Sequence, residues 1–481
     1  MFKLAPLSAA IVLALAGQVM ADDSTSTQSQ TGNDNIAEVK QVLSPYASAT
    51  QTQAGHDHNH MAEQNDSSSV IQQSATGSYN AGYAGQWSET GSIITQQAGG
   101  EFNDAFTSQS YGVENQATQT QQGSGNHSTI WQDGEMGSQG TTAQYGDRNE
   151  AFVEQQFGGT NNQSSITQGG ADNYAAAEHL AYTDGNVQIY QEGKENWAYG
   201  DQRDGTGGTI GIDQYGSGNS AEVWQDNQIG STVSVDQNVN NNEGYIDQSF
   251  GQSNVASLYQ HGNANASWSD QYETGNATVT ISQGGSNNLS FTYQEGDNHS
   301  LTVTSQGNGN QVMASNWKGD KPGGQFGDSQ TAVINQTGTG NKANLTQDGA
   351  LQTAQLKQKG TNNSTQTNQV DSNNELYFEQ NGSDNTLIAA QRGTDQYAYG
   401  TTQGTGNVVN VDQSGYANQS YTYQLYGGGN EAHITQTDGV NLATVTQGGH
   451  YNTATVDQSG YNQNATITQQ GTGNMATVTQ Q

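Results

Sequence analysis

Side-chain amides recur along this chain at a constant spacing of eleven residues. The last three copies run from Gln447 to Gln458, from Gln458 to Gln469 and from Gln469 to Gln480. In each copy a glycine follows two residues after the first glutamine, a second amide after five, and apolar residues after seven and nine. An amide both donates and accepts hydrogen bonds, so amides repeated at one structural position can bond to their own copies. The spacing therefore predicts ladders of hydrogen-bonded amides.

A second group with possible chemistry is the histidine cluster His56, His58 and His60. On a strand, alternate residues share a face, so His58 and His60 would point the same way. Imidazoles with Asp57 nearby could hold Zn²⁺ or Cu²⁺. The alternative is a degenerate repeat unit close to the N-terminus that binds nothing.

Each repeat unit has the pattern of one strand and one turn. In the last unit Ala476 and Val478 alternate with Thr477 and Thr479, and a period of two is typical of a strand with one buried face. The glycine, followed by two small or polar residues, predicts a tight turn, because glycine takes positive φ without steric cost. The turn glycines of the last three units are Gly449, Gly460 and Gly471.

Strands and turns of constant length predict an all-β fold, a flattened two-sheet β-solenoid. Two eleven-residue units make one rung, so each strand pairs with the strand 22 residues further on. Roughly twenty rungs fit, and at ~4.8 Å per rung they form a rod ~100 Å long. Small apolar residues fill the narrow interior, and glutamine and asparagine close its ends.

The repeats fall into two arrays behind a leader. Residues 1–21 have the basic start, short apolar run and small residues before Asp22 of a secretory signal peptide, and the run is too short to span a membrane. We expect a less regular array over 22–315 and a regular array over 325–481. Between them, 316–324 shortens the spacing to nine and contains a proline, which predicts a loop or kink.

Composition excludes several classes of function. The chain has 11 Lys plus Arg against 45 Asp plus Glu, a formal net charge of −34, so nucleic acid is excluded as an electrostatic partner. With no cysteine it cannot form disulfides. We find no catalytic motif, so we predict that the protein is not an enzyme, needs no cofactor and does not insert into membranes.

The unit Gln-x-Gly-x-x-Asn-x-Ala-x-x-x-Gln, behind a signal peptide in a cysteine-free chain, resembles the curlin repeat of curli fibre subunits. Those are bacterial functional amyloids of the biofilm matrix. The resemblance implies a secreted subunit of an adhesive cell-surface fibre in a Gram-negative-type bacterium. Its partners would be further copies of the chain, head to tail, a nucleator subunit and an outer-membrane export channel. The chain departs from the family in having several times the usual number of about five 22-residue repeats.

The resemblance also implies which amides drive assembly, because the family ties the inward amides of its terminal repeats to nucleation and growth. The motif runs to Gln480, so we expect an open edge that pairs with the next molecule. The matching positions are Gln30, Asn35 and Gln41 near the N-terminus and Gln447, Asn452, Gln458, Gln469, Asn474 and Gln480 near the C-terminus.

Four tryptophans form a possible lateral face. They fall on outward strand positions an even number of units apart, which places them on one sheet. We hypothesise that this face packs against other fibres or binds glycans; otherwise they are scattered exposed aromatics. The residues are Trp131, Trp197, Trp224 and Trp268.

The alternative function is a monomeric β-solenoid that binds ice or a glycan. Ice binding needs a flat face with a regular threonine array. Thr453, Thr455 and Thr466 are outward, but Asp457 and Glu431 interrupt that surface. The pattern therefore favours the fibre subunit.

Overall fold

The computed structural model describes residues 23–315 and 323–481. These ranges form 41 β-strands and contain no helix. Within them, therefore, no helix is long and apolar enough to cross a membrane. The predicted signal peptide, 1–21, and residues 316–322 of the predicted loop lie outside the described residues.

The strands belong to two sheets. The first sheet contains β1 (Thr25–Asn33), β3 (Ser48–His56), β5 (Ser68–Ser78), β7 (Thr90–Glu101), β9 (Gln116–Ser124), β11 (Gln139–Asp147), β13 (Gln163–Ala171), β15 (Asn186–Lys194), β17 (Thr209–Ser217), β19 (Thr232–Asn240), β21 (Val255–Asn263), β23 (Thr278–Ser286), β25 (Ser300–Asn308), β28 (Thr331–Thr339), β30 (Thr353–Thr361), β32 (Glu375–Ser383), β34 (Tyr397–Thr405), β36 (Gln419–Gly428), β38 (Leu442–His450) and β40 (Asn464–Thr472). The second sheet contains β2 (Ile36–Val42), β4 (Asn59–Asn65), β6 (Ala81–Trp87), β8 (Asp104–Ser110), β10 (His127–Asp133), β12 (Glu150–Gln156), β14 (Tyr174–Leu180), β16 (Trp197–Arg203), β18 (Ser220–Ile229), β20 (Glu243–Gln252), β22 (Ala266–Gly275), β24 (Leu289–Asp297), β26 (Gln311–Ala314), β27 (Gly324–Asp328), β29 (Lys342–Ala350), β31 (Ser364–Ser372), β33 (Thr386–Thr394), β35 (Val408–Tyr416), β37 (Glu431–Gly439), β39 (Thr453–Tyr461) and β41 (Met475–Gln480).

All pairings are parallel and join each strand to the equivalent strand of the next rung. The first sheet has 20 strands, and β26 and β27 together fill one place in the second. The described chain is therefore a β-solenoid of about 20 rungs, which confirms the predicted all-β, two-sheet fold.

Rung length differs between the two parts of the chain. From Thr331 most strands pair 22 residues on, as predicted, for example Thr331 with Thr353. Before that the offset is mostly 23, as between Val255 and Thr278. In many of these earlier rungs a longer corner joins the second sheet to the first, and it carries its own ladder of parallel bridges. That ladder runs through Thr90, Val113, Met136, Thr160, Thr183, Thr206 and Ile229.

The long corner alternates large and small buried residues from rung to rung. Glu89, Glu135 and Tyr182 are fully buried, and Gly112 and Gly159 lie between them. A Cβ on Gly112 would lie 2.9 Å from Oε1 of Glu89, and one on Gly159 would lie 2.8 Å from Oε2 of Glu135. Each large side chain therefore occupies space that the next rung leaves free, so this corner repeats every two rungs.

The core lies between the sheets as one continuous cluster of alanine, valine, isoleucine and leucine. Glycines near the strand ends set how closely the rungs approach. The predicted turn glycines Gly449, Gly460 and Gly471 have φ of 101°, 115° and 109°. They lie inside strand ends rather than in the turns, and the chain turns two residues later. A Cβ on Gly449 would lie 2.0 Å from the carbonyl oxygen of Gly471, so a side chain there would force the next rung to shift.

Candidate functional site

A ladder of glutamines runs along the inner face of the second sheet. Nε2 of each glutamine donates to Oε1 of the glutamine in the following rung, over 2.7–3.0 Å, except at Gln155, where the following rung has His179 and the ladder is interrupted. The first such bond joins Gln41 to Gln64 and the last joins Gln458 to Gln480. All these bonds point from the N-terminal rung to the C-terminal rung, so the ladder is polar.

The first sheet carries a matching column of glutamines, interrupted at Ala75, Ala98, Ser305 and Thr402. Gln30 donates to Gln53 over 2.8 Å near the N-terminus, and Gln447 donates to Gln469 over 2.9 Å near the C-terminus. The second hydrogen of the amide group bonds to a backbone carbonyl, as Nε2 of Gln447 does to Glu431 over 2.8 Å. These bonds satisfy both sides of most ladder amides. Oε1 of Gln121 and of Gln424 lacks a partner, because Ala98 and Thr402 stand in the preceding rungs. An unpaired buried polar group typically costs about 1–3 kcal/mol.

Asparagines at the turn after the first-sheet strands form a third ladder with the opposite polarity. Nδ2 of Asn474 donates to Oδ1 of Asn452 over 2.9 Å, and Asn452 donates to Asn430 over 3.0 Å. The backbone N–H of Asn474 donates to the same Oδ1 of Asn452 over 3.0 Å. At the other end, Nδ2 of Asn35 donates to the carbonyl of Gly55 in the next rung over 3.1 Å.

The predicted assembly residues occupy three rungs. Gln447, Asn452 and Gln458 are fully buried in the rung of β38 and β39. The rung of β40 and β41 holds a nearly buried Gln469, an exposed Asn474 and a half-buried Gln480. The first described rung, β1 and β2, holds an exposed Gln30 and half-buried Asn35 and Gln41.

The two outer rungs present complementary groups because the ladders are polar. At the β40–β41 face, the Gln469 and Gln480 amides are placed to donate and Asn474 Oδ1 to accept. At the β1–β2 face, Oε1 of Gln30 and Gln41 are placed to accept. Half-buried apolar side chains also reach the core at both faces: Val39 at one, and Ala476 and Val478 at the other.

The three histidines do not converge. His56 is exposed, whereas His58 and His60 are buried. His58 takes the place of an asparagine in the turn ladder, where its backbone N–H donates to Asn35 Oδ1 over 3.1 Å. Burial lowers the pKa of His60 to about 4, and the neighbouring His58 adds to the effect. Among residues 23–315 and 323–481, no group of three His, Asp or Glu side chains is arranged to hold a metal ion.

The four tryptophans all lie on the second sheet and point outward, on β10, β16, β18 and β22. They occupy three different positions across the strands, so they do not form one row. Three of them have aromatic neighbours: Trp268 stacks on Phe291 at 4.9 Å between ring centroids, Trp197 stacks on Tyr174 at 6.2 Å, and Trp224 lies 5.1 Å from Tyr199. The Arg203 guanidinium lies 5.1 Å from the Trp224 ring centroid. That this face packs against other fibres or binds glycans stays a prediction.

Sequence reasoning missed the buried carboxylates of the long corner. Glu135 accepts hydrogen bonds from Ser138 Oγ, the Gly159 N–H and Asn162 Nδ2 over 2.8–3.1 Å. Glu89 accepts equivalent bonds from Ser92 and Gly112. The two glutamates are 46 positions apart, which is two rungs of 23, so a search at that longer period would have found them.

Sequence reasoning also missed a second glutamine ladder in the first rungs. Along the middle of β3 to β9, Gln51 donates to Gln73, Gln73 to Gln96 and Gln96 to Gln119, over 2.7–2.8 Å. The signal in the sequence is a Gln-x-Gln pair, as in Gln51–Gln53 and Gln119–Gln121, where later repeats have an apolar residue first.

Comparison with known families finds one match. The curlin associated repeat matches five segments, residues 183–226, 274–307, 404–437, 441–471 and 449–481. The chain therefore contains curlin repeats, as their resemblance in the sequence predicted. No curated protein matches the chain.

Proposed function

We propose that this protein is the structural subunit of a secreted, curli-type amyloid fibre. The proposal starts from its curlin repeats, which stack as a β-solenoid. It polymerises head to tail by adding rungs, and the fibre serves adhesion and the biofilm matrix. In this proposal the protein is structural rather than catalytic. Its partners are further copies of itself, a nucleator subunit and an outer-membrane export channel.

The observation that carries this proposal is that each amide ladder keeps one direction along the rod, the glutamines donating toward the C-terminal rung and the asparagines toward the N-terminal rung. A β40–β41 face set against the β1–β2 face of another copy repeats the glutamine bonds of the main ladders, with Gln480 donating to Gln41 and Gln469 to Gln30. Two like faces would place donor against donor or acceptor against acceptor. Head-to-tail contact does not close on itself, so it generates a filament.

The core supports the same contact. Val39, Ala476 and Val478 are only partly buried in one copy and would be covered by the next rung. Parallel pairing then continues across the junction, so the main chain gains a full set of ladder hydrogen bonds.

Seeded growth tests the proposal. The chain without residues 1–21 is purified unfolded, and growth is followed by thioflavin fluorescence and electron microscopy. The paired variants Gln30→Leu with Gln41→Leu, and Gln469→Leu with Gln480→Leu, should slow growth from wild-type seeds by at least about tenfold, because each leaves amides unpaired at the junction.

The matched control changes two exposed, outward glutamines, Gln188→Leu with Gln355→Leu, and should grow like the wild type. A wild-type chain that stays monomeric for days would refute the proposal. Equal growth of the end variants and the control would refute the ladder mechanism.

One observation favours the alternative of a monomeric ice- or glycan-binding solenoid. Thr95, Thr118 and Thr141 stand in one outward column on adjacent strands of the first sheet. Under that alternative the purified chain remains a monomer, and it shows thermal hysteresis or is retained on a glycan column. The same preparation used for seeded growth distinguishes the two functions.

A further inference from the structure

The outer surface of the first sheet is free of charge over its first rungs. From β3 to β13, six strands in all, the outward residues before the last of each strand are threonine, serine, glutamine, alanine, glycine, valine, isoleucine and one tyrosine; the last residue of β3 is His56. Acidic residues occur only at the final positions of two of these strands, Glu101 and Asp147. We call the outward residues of β3, β5, β7, β9, β11 and β13, excluding the last residue of each, the neutral face.

The same rungs are acidic on the opposite side. Outward positions of β4 to β14 carry Glu63, Asp104, Asp133, Glu154 and Glu178, among other residues. In a chain with a formal net charge of −34, two copies that approach through the second sheet bring like charges together. The neutral face avoids that repulsion.

We propose that the neutral face is a lateral interface and that its partner is the neutral face of a second copy of this chain. Two such faces pair about a two-fold axis, so both copies use the same residues. Short hydroxyl and amide side chains on a flat parallel sheet interdigitate as in a steric zipper.

The face has the relief and the size that such pairing needs. A shallow groove of about 320 Å³ lies between Thr50, Thr52, Gln72 and Thr95, and the facing copy's side chains can enter it. Six rungs of ~4.8 Å by about seven residues of ~3.3 Å give about 670 Å² per copy, or about 1,300 Å² for the pair. That total lies within the range of stable, specific interfaces.

A charge placed on this face tests the proposal. Thr50→Glu with Thr118→Glu puts two carboxylates on the neutral face, three rungs apart in one column. The matched control, Asn65→Glu with Thr129→Glu, adds the same charge on the second sheet in the same rungs. Circular dichroism establishes that both variants keep their β-structure.

Pairing is measured in two ways, so the result does not depend on polymerisation. Sedimentation of unpolymerised chains reports dimers, and electron microscopy reports whether rods lie singly or side by side. We expect the neutral-face variant to pair at least about tenfold more weakly than the wild type, because pairing would bury its carboxylates in an interface without compensating charges, whereas the control pairs normally.

Three results would overturn the inference. The first is that wild-type rods stay single. The second is that both variants lose pairing equally, which would indicate general charge repulsion. The third is that both variants pair as strongly as the wild type. Thermal hysteresis is recorded on the same samples. If wild-type chains stay unpaired and show thermal hysteresis, and the neutral-face variant loses that hysteresis, the face binds ice instead.

Discussion

At the scale of single residues, burial decides how polar groups behave in this chain. Glu89 is fully buried in the long corner, where Ser92 Oγ donates to it over 2.5 Å and the Gly112 N–H over 2.8 Å. Burial raises the pKa of Glu89 to about 7, although these hydrogen bonds oppose the rise. A carboxyl group enclosed by protein is thus close to half-protonated at neutral pH.

The raised pKa of Glu89 makes stability depend on pH. Because the folded chain holds this proton more tightly than the unfolded chain, the contribution is full below the unfolded pKa of ~4.3 and is lost as pH rises through about 7. We expect the free energy of unfolding to fall from pH 5 to pH 8, and to fall less in Glu89→Gln. Urea denaturation at both pH values measures this.

The control for that experiment is the exposed Glu114→Gln in the same corner. It should keep the wild-type pH dependence. If Glu89→Gln kept it as well, the buried carboxyl would not be its source.

The glutamine ladder predicts a large effect of one internal substitution. In Gln191→Leu, the Gln168 amide loses its acceptor and Oε1 of Gln214 loses its donor, so the free energy of unfolding should fall by ~2–5 kcal/mol. The outward Gln188→Leu on the same strand should change it by less than ~0.5 kcal/mol. Equal denaturation midpoints for the two variants would contradict a structural role for the ladder.

At the scale of elements, the unit of this fold is a rung rather than a strand. The strand of each repeat could be predicted because alternation is a local signal, whereas the spaced glycines lie inside the strand ends and the turn comes two residues later. Parallel pairing between successive rungs follows from the constant period. The long corner could not be predicted from an eleven-residue template, because its ladder of bridges and its alternation of Glu89, Gly112 and Glu135 only appear over two rungs.

The histidines show a second limit of local patterns. The alternation predicts that His58 and His60 share a face, and both are buried with ring centroids 6.5 Å apart, but a three-histidine site also needs His56, which is exposed. In the structure a turn separates β3 from β4 at this point, so His58 enters the asparagine ladder and His60 enters the core. The amide positions, in contrast, repeat so often that ladders of amides could be predicted from sequence, and the part these amides play in assembly stays a prediction.

Two glycines in one turn region should respond differently to substitution. Gly307 has a φ of 119°, and a Cβ there would lie 2.0 Å from the carbonyl oxygen of Gly338. Gly307→Ala should therefore cost ~3 kcal/mol or more, because two rungs must separate. Gly309 has a φ of 63° and open space around it, so Gly309→Asn should be tolerated. Thermal unfolding followed by circular dichroism compares them, and similar melting temperatures would contradict the argument.

At the scale of the whole molecule, the net negative charge opposes the head-to-tail assembly that the amide ladders favour. The formal net charge is −34, and a Debye length of ~30 Å at about 10 mM salt lets the charges of successive copies interact. We expect seeded growth to accelerate between about 10 mM and about 150 mM NaCl, with Ca²⁺, and as pH falls. Burial raises the pKa of Asp201 and Asp270 to about 7, so both gain protons on mild acidification.

Seeded growth in a series of salt concentrations at constant pH measures this effect. Sucrose at matched osmolality is the control for non-electrostatic effects and should not reproduce the acceleration. A growth rate that does not change with ionic strength would show that charge repulsion does not limit assembly.

The parallel pairing of every rung has a mechanical consequence. Backbone and amide hydrogen bonds both run along the rod axis, so tension applied to the two ends of the chain loads one rung at a time. Each rung that opens releases about 23 residues, or ~75 Å of contour length, and leaves the next rung intact. Under force the rod would thus unfold rung by rung, in steps of nearly equal length, and reach many times its folded length before the last rung opens.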